Sequence, residues 1–336
     1  SVGLQSRLDL IDVGLHDTEG RERVSTVRSD DVTEWGTGAW VSAETQWNKW
    51  FRTLAGLRGD YYRFDVTSDD PHNSGNASDF IASPKLSLIF GPWKGTEAYA
   101  SAGLGFHSNV ARGTTQTIDP RSGDPVAPVD PLVRSRGAEI GLRSSPVQGW
   151  RSTVALWTVE LDSELLFVGD AGTTEPSGAS RRLGVTWTNF WRISERLTAD
   201  LDISFTRARL LDVPDSENRV PGALENVVAA GITWDSPRGG PFATARLRHF
   251  GAYPLTEDNS ERAAPTTLAN LAAGWRFGDT GISLSLSVLN LLDSDDRDIQ
   301  YWYASRGPSE PSAGIEDLHF KPIEPRQVRL RLAWGL

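Results

Sequence analysis

Apolar and polar residues alternate along most of this chain, and the repeat is two residues rather than 3.6, the side-chain period of a strand. Ile282, Leu284, Leu286 and Val288 alternate with Ser283, Ser285 and Ser287. Ala269, Leu271, Ala273 and Trp275 alternate with Asn270, Ala272, Gly274 and Arg276, and a short polar turn over 277–280 separates the two runs. Phe51, Thr53, Ala55, Leu57 and Tyr61 alternate with Arg52, Arg58, Asp60 and Tyr62. Ala98, Ala100, Ala102, Leu104 and Phe106 do the same against Glu97, Tyr99, Ser101 and two glycines. At the end of the sequence Val328, Leu330, Leu332, Trp334 and Leu336 share one face, with Gln327, Arg329, Arg331, Ala333 and Gly335 on the other. An apolar row backed by a charged one suits a strand with lipid on one side and a polar lumen on the other, as in the closing strand of an outer-membrane barrel.

The connections between these runs alternate in length. Long polar stretches occur near 69–78, 108–135, 169–180, 212–221, 251–265 and 292–325. Short ones fall at Trp47, at the Gly-Pro-Trp-Lys-Gly turn beginning at Gly91, and near 145–149, 193–196, 236–241 and 277–280. This parity predicts an all-β, antiparallel up-and-down transmembrane β-barrel, or the C-terminal part of one, of about fourteen strands. Short turns then face the periplasm together with the C-terminus, and long loops face outside. Residues 17–32 read either as a loop hairpin or as the tall upper part of a strand. No linker or compositional break appears, so residues 1–336 are expected to form a single β-barrel domain.

Composition narrows the class. Hydrophobic residues make up 38% of the 336 and mean hydropathy is −0.35, and no apolar run reaches the length of a spanning helix, which leaves strands as the only way across a membrane. The net charge of −10 argues against a nucleic-acid partner. Cysteine is absent, which excludes disulfides and thiolate metal sites. Methionine is absent too, even at position 1, and no signal peptide is seen, so the sequence reads as processed or as a fragment. Thirteen tryptophans fit either core filling or aromatic girdles at a membrane interface.

Several stretches are more specific than barrel patterning. Ala82-Ser-Pro-Lys-Leu86, Thr96-Glu-Ala-Tyr99, Gly103-Leu-Gly-Phe-His-Ser-Asn109 and Ala111-Arg-Gly113 form one group. Ser163-Glu-Leu-Leu-Phe-Val-Gly-Asp-Ala-Gly172, Asn290-Leu-Leu-Asp293, Asp298-Ile-Gln-Tyr-Trp-Tyr-Ala-Ser-Arg306 and His319-Phe-Lys-Pro-Ile-Glu-Pro-Arg326 follow. In order and spacing they resemble the barrel of TonB-dependent outer-membrane receptors over essentially the whole chain. Val110 departs from that pattern, standing where an acidic residue is common, and Leu336 ends the chain where Phe is usual. The resemblance implies a signal peptide, an energy-coupling segment and a plug ahead of a barrel of about twenty-two strands. No plug or coupling segment is found, and there is room for only the last fourteen or so strands. The chain therefore reads as a receptor fragment, with a smaller closed barrel as the alternative.

Catalytic chemistry has little support. His16, His72, His107, His249 and His319 are scattered without a metal-ligand spacing, and no nucleophile elbow or Walker loop occurs. No catalytic residue, metal site or cofactor is expected. Asp162, Glu164 and Asp170 could form a carboxylate pair but read better as lining the upper lumen, and the glycines of 103–108 read as making room for a neighbour or for the lumen contents. Ligand-binding candidates lie in the two longest loops: His107, Asn109 and Arg112 at the first, and Tyr301, Trp302, Tyr303, Arg306 and His319 in the second. Aromatic and guanidinium groups together suit a bulky anionic chelate through stacking and charge-assisted hydrogen bonds. The bland reading is that these loops pack on each other and that Arg306 pairs with Asp293, Asp295 or Asp296. Arg58, Arg329 and Arg331 are expected to pair with wall carboxylates or a plug.

The resemblance implies an outer-membrane receptor and transporter, not an enzyme, for energy-coupled uptake of a scarce nutrient such as a ferric siderophore or similar iron chelate. Its implied partners are outer-membrane lipid, a TonB-type energy-coupling protein engaged through an N-terminal region missing here, and the small-molecule ligand. A passive porin-like channel and a soluble all-β binding protein are the other readings.

Overall fold

The computed structural model describes residues 1–168, 173–236, 239–307, 309–311 and 314–335, without the side chains of 164–168, 173–177 and 279. Residues 169–172, with Asp170, part of the turn expected at 236–241, the side chain of Glu164, and Leu336 of the terminal apolar row lie outside the described residues.

β1 (Val2–Glu19) turns at Gly20 and Arg21 into β2 (Glu22–Asn48), which turns at Lys49 and Trp50 into β3 (Phe51–Ser68). A connection over 69–74 leads to β4 (Gly75–Trp93), a turn at Lys94 and Gly95 to β5 (Thr96–Ser108), and a long connection over 109–131 to β6 (Leu132–Ser144). After β7 (Trp150–Leu161), a small hairpin of β8 (Glu164–Val168) and β9 (Thr173–Ser177) precedes β10 (Ser180–Arg192) and β11 (Leu197–Leu210). β12 (Asn226–Asp235) and β13 (Gly240–Phe250) follow, then the short pair β14 (Tyr253–Pro254) and β15 (Arg262–Ala263). β16 (Thr266–Arg276) and β17 (Ile282–Leu289) form a hairpin. The longest connection carries β18 (Arg297–Ser305) and β19 (Ile315–Pro322) before β20 (Gln327–Trp334).

Fourteen of these strands hydrogen-bond in the order β1-β2-β3-β4-β5-β6-β7-β10-β11-β12-β13-β16-β17-β20, and the three small hairpins sit in long connections. Strand number agrees with the sequence pattern, and so does the alternation of short and long connections from β2 onward; the β1–β2 connection, at the long-connection end, is a two-residue turn. The ambiguous stretch at 17–32 is tall strand: β1 and β2 stay paired from Val2 opposite Val41 to Glu19 opposite Glu22. Both residues of that turn have positive φ (57° and 72°), as do Lys94 and Gly95 (51° and 79°), the backbone twist that suits a two-residue antiparallel hairpin.

The chain divides into two compact units. The first comprises Ser1–Leu88, Ser101–Ala138 and Glu160–Ser163. On one face of its sheet Leu4, Leu8, Leu10, Trp35, Val41 and Leu57 stay exposed. On the other, Arg58 binds Asp60 at 2.6 Å, and Val32, Phe64 and Val66 form a small core with Ala111. Gly103 comes close to β4: a Cβ there would lie 3.1 Å from Lys85 Cβ, so this glycine does make room for a neighbour.

The second unit comprises Ile89–Ala100, Glu139–Val159 and Glu164–Leu336. β17 and β20 align Leu284 with Leu332, Leu286 with Leu330 and Val288 with Val328, while Ser285 and Ser287 face Arg331 and Arg329. Leu330 and Leu332 are 73% and 72% exposed, so the apolar row is built but not buried against protein. The polar face carries ion pairs, including Arg246 with Asp200 at 2.6 Å and Arg276 with Asp235. Gly231 lies under the first, where a Cβ would come 2.6 Å from Arg246 Cζ. Most tryptophans stand at strand ends beside short turns: Trp47 and Trp50 in the first unit, and Trp93, Trp150, Trp191, Trp234, Trp275 and Trp334 in the second. Except for Trp150, all of these are exposed, which fits a girdle rather than a core.

The Asn290-Leu-Leu-Asp293 run closes the base of the longest connection. Asn290 is buried with φ of 48°, its Nδ2 donates to Ser294 O (2.9 Å) and Glu324 O (3.1 Å), and its Oδ1 accepts from Ser294 N (2.9 Å). Asp293 accepts from Arg326 N at 3.0 Å and pairs with its guanidinium at 3.5 Å. Asn290→Ala strands two carbonyls and an amide at this neck. It is expected to cost about 2 kcal/mol in the unfolding midpoint and to speed proteolysis within 290–326, with strand content by circular dichroism unchanged.

Candidate functional site

In the first unit the 109–131 connection is folded down rather than free. Asn109 closes its neck, with the backbone N–H donating to Pro131 O (2.9 Å) and Nδ2 to Asp130 O (2.6 Å). A 3-10 turn over Ala111–Thr114 drives Ala111 into the small core of Val32, Phe64 and Val66. Beyond it Asn73, fully buried in the 69–74 connection, donates to Ile118 O and accepts from the N–H groups of Thr117 and Ile118, each at 3.0 Å.

Between these anchors lies a buried charge cluster. Asp30 Oδ2 meets Arg28 Nε at 2.6 Å and Arg112 Nη1 at 3.6 Å, and the Asp30 side chain is wholly enclosed. Arg28 also donates to Gln116 Oε1 (2.6 Å) and to Arg112 O (3.4 Å). Two guanidiniums therefore share one carboxylate, leaving net positive charge. Burial, and then the neighbouring Arg28, push Arg112 below the usual arginine range. His107 is half-buried on β5, with Nε2 enclosed and without a hydrogen-bond partner among the described residues. Of the three sequence-predicted residues here, Arg112 thus joins a charge cluster, Asn109 holds the loop neck, and His107 lies on the strand leading in.

In the second unit the β18–β19 hairpin has two unlike faces. Gln300 is 2% exposed and makes paired hydrogen bonds with Ala264, Nε2 to O at 2.9 Å and N to Oε1 at 3.1 Å. Trp302 and Leu318 on the same side pack against Tyr253, Leu255 and Ala263. On the other face Tyr303 stacks on His319 with ring centroids 3.8 Å apart and planes 14° apart. His319 Nε2 lies 2.7 Å from Ser305 Oγ and Nδ1 lies 3.0 Å from Asp317 O, so both ring nitrogens are engaged. Tyr301 sits opposite His319 in the register and is exposed. Arg306 does not pair with Asp293, Asp295 or Asp296. It donates to Glu310 O at 3.4 Å, while Asp293 is held by Arg326 and Asp296 accepts from Thr267 N at 2.7 Å. The hairpin thus groups Tyr301, Tyr303 and His319, turns Trp302 inward, and leaves Arg306 at its tip.

Asp162 pairs with Arg136, while the Glu164 side chain and Asp170 lie outside the described residues. Among the described residues, no group of three His, Asp or Glu side chains converges as a metal site. Arg28, Asp30, Gln116 and Gln300 were not singled out from sequence. A signal for two of them exists: Arg-x-Asp places both side chains on one face of a strand, and Arg7–Asp9, Arg28–Asp30, Arg58–Asp60 and Arg63–Asp65 all pair this way. Asp30→Asn leaves two guanidiniums together in a buried site. It is expected to cost about 3–5 kcal/mol in the unfolding midpoint and to expose 109–131 to protease, and adding Arg112→Gln should recover part of the loss.

Residues 7–291 match the β-barrel family described as TonB dependent receptor-like. Among solved structures the chain is similar to the ferric citrate transporter FecA in its unliganded form, with a TM-score of 0.70 and 12% identity over 98% of this chain and 50% of that one. It is also similar to the ferric yersiniabactin uptake receptor FyuA from Yersinia pestis (TM-score 0.68, 16% identity, 97% and 49%). The ferric-catecholate import receptor Fiu from E. coli K12 aligns comparably (TM-score 0.68, 14% identity, 98% and 50%). The chain spans about half the length of these relatives, and at such identities the likeness speaks for the fold. With most of its strands inside the matched range and its sheet built as theirs are, the chain belongs to the TonB-dependent receptor-like β-barrel family.

Proposed function

We propose that this chain forms barrel wall and ligand-facing loops of an outer-membrane receptor that takes up a scarce nutrient, a ferric siderophore or similar iron chelate, in an energy-coupled way. The observation that carries the reading is the two-faced sheet inside a receptor family match: an exposed apolar row on each unit, tryptophans beside the short turns, and polar, ion-paired side chains on the opposite face. Apolar residues toward lipid and polar residues toward a lumen account for this without any further protein layer.

The long connections then bear the ligand. The Arg28–Asp30–Arg112 cluster carries excess positive charge, and the Tyr301, Tyr303 and His319 face supplies flat aromatic surface, features that suit an anionic chelate with aromatic groups. His107, Asn109, Trp302 and Arg306 take part as supports of these two surfaces. Coupling to a TonB-type protein is assigned to the part of such a receptor that lies outside the matched half.

Binding of ferric catecholate, ferric hydroxamate and ferric citrate complexes, each titrated by tryptophan fluorescence, tests the reading on the protein in its native membrane. One of the three should bind, and Arg112→Ala and Tyr303→Ala should each weaken it about tenfold, or about 1.4 kcal/mol. Uptake in cells should stop when the inner membrane is de-energised. Uptake that persists at the same rate after de-energisation would make this a passive channel.

A further inference from the structure

The apolar face of the second unit ends in guanidiniums at the long-connection end of β10 and β11. The register sets Arg181 directly opposite Arg209 and Leu183 opposite Arg207. Below them on the same face run Val185 with Phe205 and Trp187 with Ile203, down to Trp191 beside the short turn. Among the described residues neither Arg207 nor Arg209 has a carboxylate partner: Arg209 Nη1 donates to Ala208 O at 2.7 Å, and Arg207 is exposed. Glu225, whose carbonyl accepts from Thr206 N, is already engaged by Arg262 at 2.6 Å and Arg219 at 3.9 Å. Arg181 engages a further group of its own.

The height of the cluster is informative. Ten steps of β10 separate Trp191 from Arg181, about 33 Å of strand, or about 25 Å of height at a tilt of about 40°. That is the thickness of the apolar band of a membrane barrel. With Trp191 at one interface, the guanidiniums lie at the headgroup level of the opposite one, the outer leaflet.

We propose that Arg207 and Arg209, with Arg181 beside them, bind the phosphate groups of an anionic phosphorylated lipid in the outer leaflet. The inference rests on the outer-membrane reading above. Guanidinium forks match phosphate oxygens in a bidentate way, and Arg207 and Arg209 stand two residues apart on one face of β11 to present two of them. Leu183 and Phe205, 58% and 53% exposed just below, offer the acyl chains an apolar surface.

The test uses the intact protein in phosphatidylcholine nanodiscs, plain or doped with bisphosphorylated lipid A, and with inorganic phosphate added to plain discs. The parent should retain the phosphorylated lipid in native mass spectrometry and gain several degrees in unfolding midpoint only in doped discs. R207Q/R209Q should retain about tenfold less and lose that gain, yet match the parent's stability in plain discs, because neither guanidinium has a carboxylate partner among the described residues. R63Q, which alters a guanidinium on the apolar face already paired with Asp65, should behave as the parent. Equal lipid retention by R207Q/R209Q and the parent overturns the proposal, as does a full stabilisation by inorganic phosphate alone. Failure of every form to insert into plain discs would instead overturn the membrane reading beneath it.

Discussion

Antiparallel backbone pairing between neighbouring strands is the constraint on which the rest of this molecule depends. Each strand between β1 and β20 at the two ends of the main sheet bonds to a neighbour on either side, so its N–H and C=O groups are satisfied from strand to strand without help from side chains. That frees the side chains to sort by face. In the β17–β20 pair the sorting is clear over the middle: leucine meets leucine on one side and serine meets arginine on the other. Because the pleat repeats every two residues, a slip of one position would exchange the faces, and the register is correspondingly well specified.

The polar face is held by ion pairs of two kinds. Some are local, with Arg and Asp two residues apart on a single strand, as in Arg58–Asp60. Others cross strands, as Arg246–Asp200 does from β13 over β12 to β11, and there Gly231 on the middle strand leaves room for the guanidinium. Exposed pairs of this kind contribute little stability each. Their effect is to keep a charged surface neutral in detail while the opposite face stays free of charge over its middle portion.

The loops follow a different logic. Neither of the two longest connections is an open flap. One is pinned by Asn109, Asn73 and the buried Asp30 cluster, and the other by Asn290, Gln300 and a small apolar core around Tyr253. Buried amide side chains recur in these pins because an Asn or Gln satisfies a backbone donor and acceptor at once, which suits irregular chain. The second connection then offers an aromatic face with Tyr301 exposed, whereas the first encloses its excess positive charge in the Arg28–Asp30–Arg112 cluster beneath the loop.

Period-two alternation was enough to reveal strands, their number and the parity of their connections, because side-chain direction in a strand is a local property of the backbone. The Arg-x-Asp spacing is an unused signal of the same local kind, whereas the burial of Arg28 and Asp30 has no local signal. Tryptophan count alone could not separate core from girdle, since the distinction depends on where each strand ends. Loop chemistry was the least legible. Arg112 draws its meaning from Arg28 and Asp30, which are distant in sequence, and Tyr303 meets His319 only across a hairpin turn. Trp302 sits between Tyr301 and Tyr303 in sequence yet faces the other way, because Gln300 and Leu318 commit that side of the hairpin to its neighbour. The sequence by itself thus determined the two-faced sheet, whose rules act between residues two apart. Which loop residues are supports and which are surface was decided only by tertiary structure, where packing and paired charge join residues that no local pattern connects.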